Sequence, residues 1–282
     1  MEQTNYDEKI KLYCADWFLS YKEKIEPASV DLVLTSPPFG IFGNEIKEIS
    51  WDKEVDISLL ETTYDYILKR DGQIILFADL KLMRRLLDSF KKFDLRTYHI
   101  HQKSLAMAKN RWFPLPDAEF ILIFKRKETR VSDLAWHPKV ANQGLPYRRK
   151  NHSLNVPTRR MNKSKETINV DGGRWIKTCL PGLSKCSMKS EERSSHPCQL
   201  SESILRTLIR TYSNEGDIVL DNYAGSASTL ISAYKEDRRG IGFEKNSEYY
   251  NESVQRISTA TNQINLFQTA NTESTLKQEV LL

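Results

Sequence analysis

The 282-residue chain is 39% hydrophobic with a formal net charge of +5 and a mean hydropathy of −0.54, which suits one large α/β domain, or one domain carrying an inserted lobe, with a sizeable core. No apolar run approaches the roughly 18 residues that span a bilayer. The start, Met1-Glu2-Gln3-Thr4-Asn5-Tyr6-Asp7-Glu8, is too acidic and polar for a signal peptide, so a cytoplasmic protein without a membrane partner is expected.

Lys9 to Cys14 reads as a short strand, followed by Ala15-Asp16 and a helix over Trp17 to Ile25. Val30 to Leu34 is the next strand, and it runs into Thr35-Ser36-Pro37-Pro38-Phe39-Gly40. Gly40 to Asp52 mixes glycine with charge and reads as a mobile loop. Ile57 to Leu68 has helical spacing, with Leu59, Leu60, Thr63, Tyr64 and Ile67 on one side. Gln73 to Phe77 is a continuous apolar strand of the kind buried in parallel sheets, Lys81 to Phe93 a crossover helix, and Ala118 to Lys125 another strand. Periodicity fails from Lys127 to Ser195, either a long loop-rich lobe or a partly disordered stretch, in which basic residues interleave with Trp136, Tyr147 and Trp175. Between Lys139 and Arg193 there are 13 Lys or Arg against 4 Asp or Glu, a balance of +9 that leaves −4 for the remainder. A basic lobe on a slightly acidic body is the footprint of a polyanion-binding surface. Regular structure resumes with a helix over Leu200 to Tyr212, a strand at Ile218 to Leu220, a helix over Ser228 to Glu236, a strand at Gly240 to Phe243 ending in Glu244, and a helix over Ser247 to Ile257. The residues from Ser258 to Leu282 read as a frayed polar tail. Strands alternating with helices predict a Rossmann-like α/β fold, a largely parallel sheet with helices on both faces. Its two halves, 1–126 and 196–257, flank the basic region 127–195.

Two stretches carry chemistry. A strand that stops in two prolines cannot extend its hydrogen-bond ladder, because proline has no N–H and a fixed φ. The chain must turn there, presenting a hydroxyl, rigid carbonyls and an aromatic ring at the strand's C-terminal edge, where open α/β sheets bind ligands. The second stretch, Val219 to Thr229, is a strand, a small-residue turn and a helix start. Small residues let the backbone approach a bulky cofactor, and the unpaired N–H groups of a helix start favour an anionic group. Glu244, at the end of the next strand, is placed for ribose hydroxyls, so a nucleoside cofactor is expected. The Gly-x-Gly-x-x-Gly and Gly-Lys-Ser/Thr signatures are both absent, which weakens NAD and ATP readings. Cys14, Cys179, Cys186 and Cys198 do not make a disulfide framework in a chain this long, and with His196 they lack the close cysteine pair of structural zinc sites. No metal is expected.

These residues resemble the amino-group DNA methyltransferases, which make N4-methylcytosine or N6-methyladenine. Ser36-Pro37-Pro38-Phe39 matches their catalytic motif, Ser/Asp/Asn-Pro-Pro-Tyr/Phe. Asp221 to Thr229 loosely matches their cofactor motif, Asp-Pro-Phe-x-Gly-Ser-Gly-Thr-Thr, and His196-Pro197-Cys198-Gln199 matches a segment upstream of it. The order, with the catalytic motif first and a variable lobe between, resembles the β-type. Asn222-Tyr223 stands where the family has Pro-Phe, Ala227 and Ser228 where it has Gly and Thr, and Leu200 where it often has lysine.

The resemblance implies S-adenosylmethionine as cofactor, DNA as partner, and a cognate restriction endonuclease as a candidate partner; the monomer and the homodimer stay open. It implies Ser36, Pro37, Pro38 and Phe39 as catalytic residues. The cofactor residues it implies are Asp16, Thr35, His196, Gln199, Asp221, Tyr223, Ala224, Gly225, Ser226 and Glu244. Asp16 also reads as a helix cap. Tyr147, Arg148, Arg149, Lys150, Arg159, Arg160 and Trp175 in the basic lobe are candidates for phosphates, guanines or stacking. Ser-Pro-Pro leans the target towards cytosine N4, with adenine N6 the alternative. A nucleic-acid-binding protein that keeps the fold without catalysis is the reading from another class.

Overall fold

A computed structural model describes residues 2–6, 8–40, 51–102, 117–139, 142–143, 147–150, 166–169, 172–180, 194–196 and 198–262. Its centre is a nine-stranded sheet. In chain order the strands and helices are β1 (Gln3–Tyr6), β2 (Ile10–Cys14), α1 (Trp17–Lys24), β3 (Val30–Thr35), α2 (Ile57–Ile67), β4 (Leu68–Ala78), α3 (Leu80–Ser89), β5 (Phe93–Gln102) and β6 (Ala118–Arg126). There follow β7 (Asn142–Gln143), β8 (Tyr147–Lys150), β9 (Glu166–Asn169), β10 (Gly173–Arg174), β11 (Cys179–Leu180), α4 (Glu202–Tyr212), β12 (Ile218–Asp221), α5 (Ser228–Lys235) and β13 (Arg239–Glu244). A last helix, α6, occupies 247–262.

The sheet order is β1-β2-β13-β12-β3-β4-β6-β5-β11. From β2 to β4 all neighbours are parallel, whereas β6 runs antiparallel to both β4 and β5. The chain leaves β3 through α2 to β4 on one side and leaves β12 through α5 to β13 on the other. The connections thus diverge between β3 and β12, which opens a crevice at their carboxyl ends.

Strand alternation builds both faces of the core. Val33, Ile74, Leu76, Leu122 and Phe124 point to the side covered by α1, α2 and α3. Leu32, Leu34, Ile75, Phe77, Ile121 and Ile123 point to the side covered by α4. Side chains one residue apart on a strand face opposite ways, so a fully apolar run such as Ile74 to Phe77 must be covered on both sides. Three helices start at an aspartate: Asp16, Asp56 and Asp79 accept the N–H of Phe18 (3.0 Å), Leu59 (3.0 Å) and Leu82 (2.8 Å).

Several boundaries differ from the expectation. The predicted helix Lys81 to Phe93 ends at Ser89, and the chain continues as the unforeseen strand β5. The inward positions of β5 include His99 and His101, both buried, which hid its alternation from a reading by apolar residues. The predicted frayed tail is helical as far as 262, with Ile257 and Thr261 buried; residues 263–282 lie outside the described residues. Residues of the loop-rich region also join the sheet. Leu180 of β11 pairs parallel with His101, so this region adds the sheet's last strand. Trp136 packs on Tyr212 beneath the Arg96 guanidinium, and Gln73 donates to the carbonyls of Ala135 (3.0 Å) and Tyr212 (3.1 Å). No helix among the described residues is long and apolar enough to cross a membrane.

Candidate active site

The Pro-Pro turn and the small-residue loop meet because their strands are neighbours. β3 and β12 pair through Leu32–Val219 and Val33–Leu220, which leaves Thr35 and Asp221 side by side at the strand ends. The Thr35 hydroxyl donates to Asp221 Oδ1 at 2.6 Å, and the Tyr223 N–H donates to the same oxygen at 3.1 Å. Asp221 is wholly buried, and burial pushes its carboxyl above the usual range, opposed by these hydrogen bonds and one from the Thr229 hydroxyl. Asp221 thereby latches the two strand ends together. Beyond it Ser36 is half-buried, Pro37 buried, and Pro38 and Phe39 half-buried. Phe39 packs against both core clusters, which holds the turn rigid.

The loop after β12 is pinned from several elements. The Ala224 N–H donates to the Phe243 carbonyl at 2.9 Å and the Gly225 N–H to Glu244 Oε2 at 2.9 Å. Those two amides are engaged within the protein. Glu244 Oε1 also accepts the Asn246 N–H at 2.8 Å; burial raises this carboxyl's pKa against the two bonds. Each carboxylate oxygen keeps a further lone pair for a ligand hydroxyl. The Ser253 hydroxyl donates to the Gly225 carbonyl at 2.6 Å, and Arg256 bonds the Ser226 carbonyl and, at 3.3 Å, the Ser228 hydroxyl. Ser226 itself lies buried against Ser228, hydroxyl to hydroxyl at 3.2 Å.

Gly225 has φ +51°, and a Cβ there would lie 3.1 Å from the His196 ring. Ala227, where the resembled motif has glycine, sits at φ +58°, the left-handed region that explains the motif's preference. His196 stacks on Trp51 (5.4 Å between centroids, 28° between planes) and meets Tyr249 edge-on at 4.6 Å. Burial depresses its pKa to about 4, so the ring is neutral. Gln199 Oε1 accepts from the N–H (2.7 Å) and hydroxyl (3.0 Å) of Ser194, which folds the segment before α4. Asp16 caps α1, with Lys245 at 4.0 Å; burial and the Asp16 charge raise the pKa of the Tyr223 hydroxyl and keep it protonated.

The elements thus gather Ser36 to Phe39, Thr35, His196 and Asp221 to Ser226 around one edge, with Asp16 and Glu244 at the ends of the adjoining strands β2 and β13. Tyr147 to Lys150 form β8, paired with β9 in a separate two-stranded sheet, with Arg148 exposed; Trp175 is 63% exposed. Arg159, Arg160 and Pro197 fall outside the described residues, as do residues 41–50 of the expected loop. Sequence reading missed Trp51, Tyr64 and Arg256. Tyr64, read as part of an apolar helix face, donates its hydroxyl to Asn222 Oδ1 at 3.0 Å across 158 residues of sequence, and no local signal foretells that.

Among the described residues five buried side-chain polar atoms have no hydrogen-bond partner, and three of them, Trp51 Nε1, Asn222 Nδ2 and Tyr223 Oη, belong to this edge, the others being Ser201 Oγ and Ser232 Oγ. Folded chains leave few such groups orphaned, and their concentration beside a glycine-lined helix start fits a polar ligand held there.

A family model described as DNA methylase, the N6/N4 methyltransferases, matches residues 30–255. The chain belongs to this family of DNA methylases. It is 26% identical over 260 residues to the Type II methyltransferase M.HpaI of Haemophilus parainfluenzae, covering 89% of this chain and 75% of that one. It is 27% identical over 270 residues to the DNA adenine methyltransferase YhdJ of Escherichia coli, covering 92% and 87%. Among solved structures, the cytosine-N4-specific PvuII DNA methyltransferase aligns with a TM-score of 0.60 at 16% identity, over 91% and 92% of the chains. The M1.HpyAVI–SAM complex aligns with a TM-score of 0.57 at 21% identity, over 88% and 99%. These two likenesses establish the Rossmann-like methyltransferase fold of this DNA methylase.

Proposed function

We propose that this DNA methylase transfers a methyl group from S-adenosylmethionine to the exocyclic amine of a base flipped out of DNA, with cytosine N4 as the target. The observation that carries the reading is the Thr35–Asp221 hydrogen bond, which ties the Pro-Pro turn to the cofactor-type loop at one crevice. Bound S-adenosylmethionine supplies an electrophilic methyl group. The chain's residues prepare the acceptor. An exocyclic amine is a poor nucleophile because its lone pair is delocalised into the ring, and inside a duplex it is out of reach until flipped. Ser36 Oγ and the Pro37 carbonyl accept its two N–H groups and draw the nitrogen towards tetrahedral geometry, which frees the lone pair. Two prolines and the packed Phe39 hold these acceptors in place in advance, so catalysis rests on preorganisation. Phe39 stacks on the base, a contact worth about 1–3 kcal/mol.

For the cofactor, Glu244 takes ribose hydroxyls, Gly225 and Ser226 line the approach, and the Tyr223 hydroxyl with Asp16 faces the nucleoside. Asp221 and Thr35 are positioning residues. A hydroxyl rather than a carboxylate at Ser36 supports cytosine. Similarity to a DNA adenine methyltransferase over 92% of the chain favours the second reading, adenine N6. The likeness to a Type II methyltransferase supports a restriction-linked role with a cognate endonuclease. Incorporation of labelled methyl into unmethylated DNA, followed by nucleoside analysis, tests the proposal. N4-methylcytosine is the expected product, N6-methyladenine selects the second reading, and absence of any methylated base from DNA that the protein binds refutes both.

A further inference from the structure

We propose that Trp51 is a cofactor-binding residue whose indole N–H takes the carboxylate of the cofactor's amino-acid end. The inference rests on the S-adenosylmethionine reading above. Trp51 bridges the two motifs. Its neighbour Asp52 accepts the Gly40 N–H at 2.9 Å, which fixes this segment to the end of the Pro-Pro turn. On the other side its ring stacks on His196, whose imidazole lies against Gly225 of the cofactor loop. The indole nitrogen is a donor only, and here it is buried with no acceptor among the described residues. An unpartnered donor at the junction of two motifs calls for an acceptor brought by a ligand.

The surroundings add a second donor. His196 Nδ1 accepts the Cys198 N–H at 3.3 Å, so the neutral ring carries its proton on Nε2, the atom nearest Gly225. The start of α5 adds backbone N–H groups and the positive end of its dipole. Arg256, bonded to the Ser226 carbonyl, adds a cation. Glu252, whose charge acts on His196 ahead of that of Arg256, is held away from the ring by the N–H (2.7 Å) and hydroxyl of Ser195. Two N–H donors, those of Trp51 and His196, therefore meet at the cofactor loop, and the carboxylate is the strongest acceptor that the cofactor's amino-acid end brings.

Trp51→Phe keeps the aromatic stack and deletes the donor. Calorimetric titration of both proteins with S-adenosylhomocysteine and with 5′-methylthioadenosine, which lacks the amino-acid end, tests the assignment. The expected result is about tenfold weaker binding of S-adenosylhomocysteine by the variant, with methylthioadenosine binding unchanged; the unchanged ligand also reports an intact fold. Equal weakening of both ligands, or of neither, overturns the role of Trp51 while leaving the cofactor reading in place. A wild-type protein that binds neither ligand overturns the cofactor reading, and this inference with it.

Discussion

On the proposed reading Ser36 accepts the reacting amine, and its contribution separates from cofactor binding. Ser36→Ala removes one of two acceptors for the reacting amine without touching the cofactor loop. Single-turnover methyl transfer should fall about 10²–10³-fold, as for the loss of one preorganised polar group, with cofactor affinity unchanged in a titration. Thr35 acts one residue earlier and differently. Thr35→Val deletes the hydrogen bond to a fully buried carboxylate, leaving Asp221 short of a partner. Denaturant unfolding should show a loss of about 1–3 kcal/mol. His196 predicts a pH effect. Its folded pKa of about 4 lies below its ordinary value of 6.5, so between those pH values the unfolded chain binds the proton and the folded one does not. Stability contributed by the neutral ring is complete above about 6.5 and declines as pH falls towards 4, by on the order of 3 kcal/mol. Asp221 and Glu244, with raised pKa values, push the other way at the acid end. The measurement is therefore a difference: the pH dependence of unfolding in wild type should be steeper across this window than in His196→Gln.

At the scale of elements, the loop between β12 and α5 is the piece whose shape decides whether a cofactor fits. Gly225 and Gly216 both have positive φ, +51° and +83°, but only Gly225 has a neighbour within 4 Å of a new Cβ, the His196 ring. Gly216→Ala should cost only backbone strain, about 1–2 kcal/mol in an unfolding titration. Gly225→Ala adds displacement of His196 and of the Trp51 stack upon it, so its cofactor affinity should fall as well. Equal cofactor affinity in the two variants would mean that the contact with His196 does not shape the site.

For the whole molecule, the separation of charge matters more than the net +5. The segment from Lys139 to Arg193 carries +9 against −4 elsewhere, and on the proposed reading this segment attracts DNA phosphates. Phosphate contacts release counterions, so each one lost lowers the slope of log K against log salt by about 0.9. Arg148→Ala should weaken DNA binding by a similar factor on every sequence and flatten that slope by about one contact, while cofactor affinity stays unchanged. A sequence-dependent loss would instead assign Arg148 to a base edge.

Much of this molecule was legible in the sequence. Continuous apolar runs such as Ile74 to Phe77 require a sheet covered on both faces, two prolines must end a strand, and small residues before a helix must leave room for a ligand. Each of these is a local constraint on the backbone. Contacts between distant residues had no local trace. Nothing in the sequence near Tyr64 points to Asn222, and nothing near Trp51 points to His196. The strand β5 escaped because histidines fill its inward positions, and the buried job of Asp221 escaped because its partner lies 186 residues away. The two motifs and their order were thus determined by sequence alone. That they form one site was decided by the tertiary structure, because only strand pairing brings the end of β3 against the end of β12.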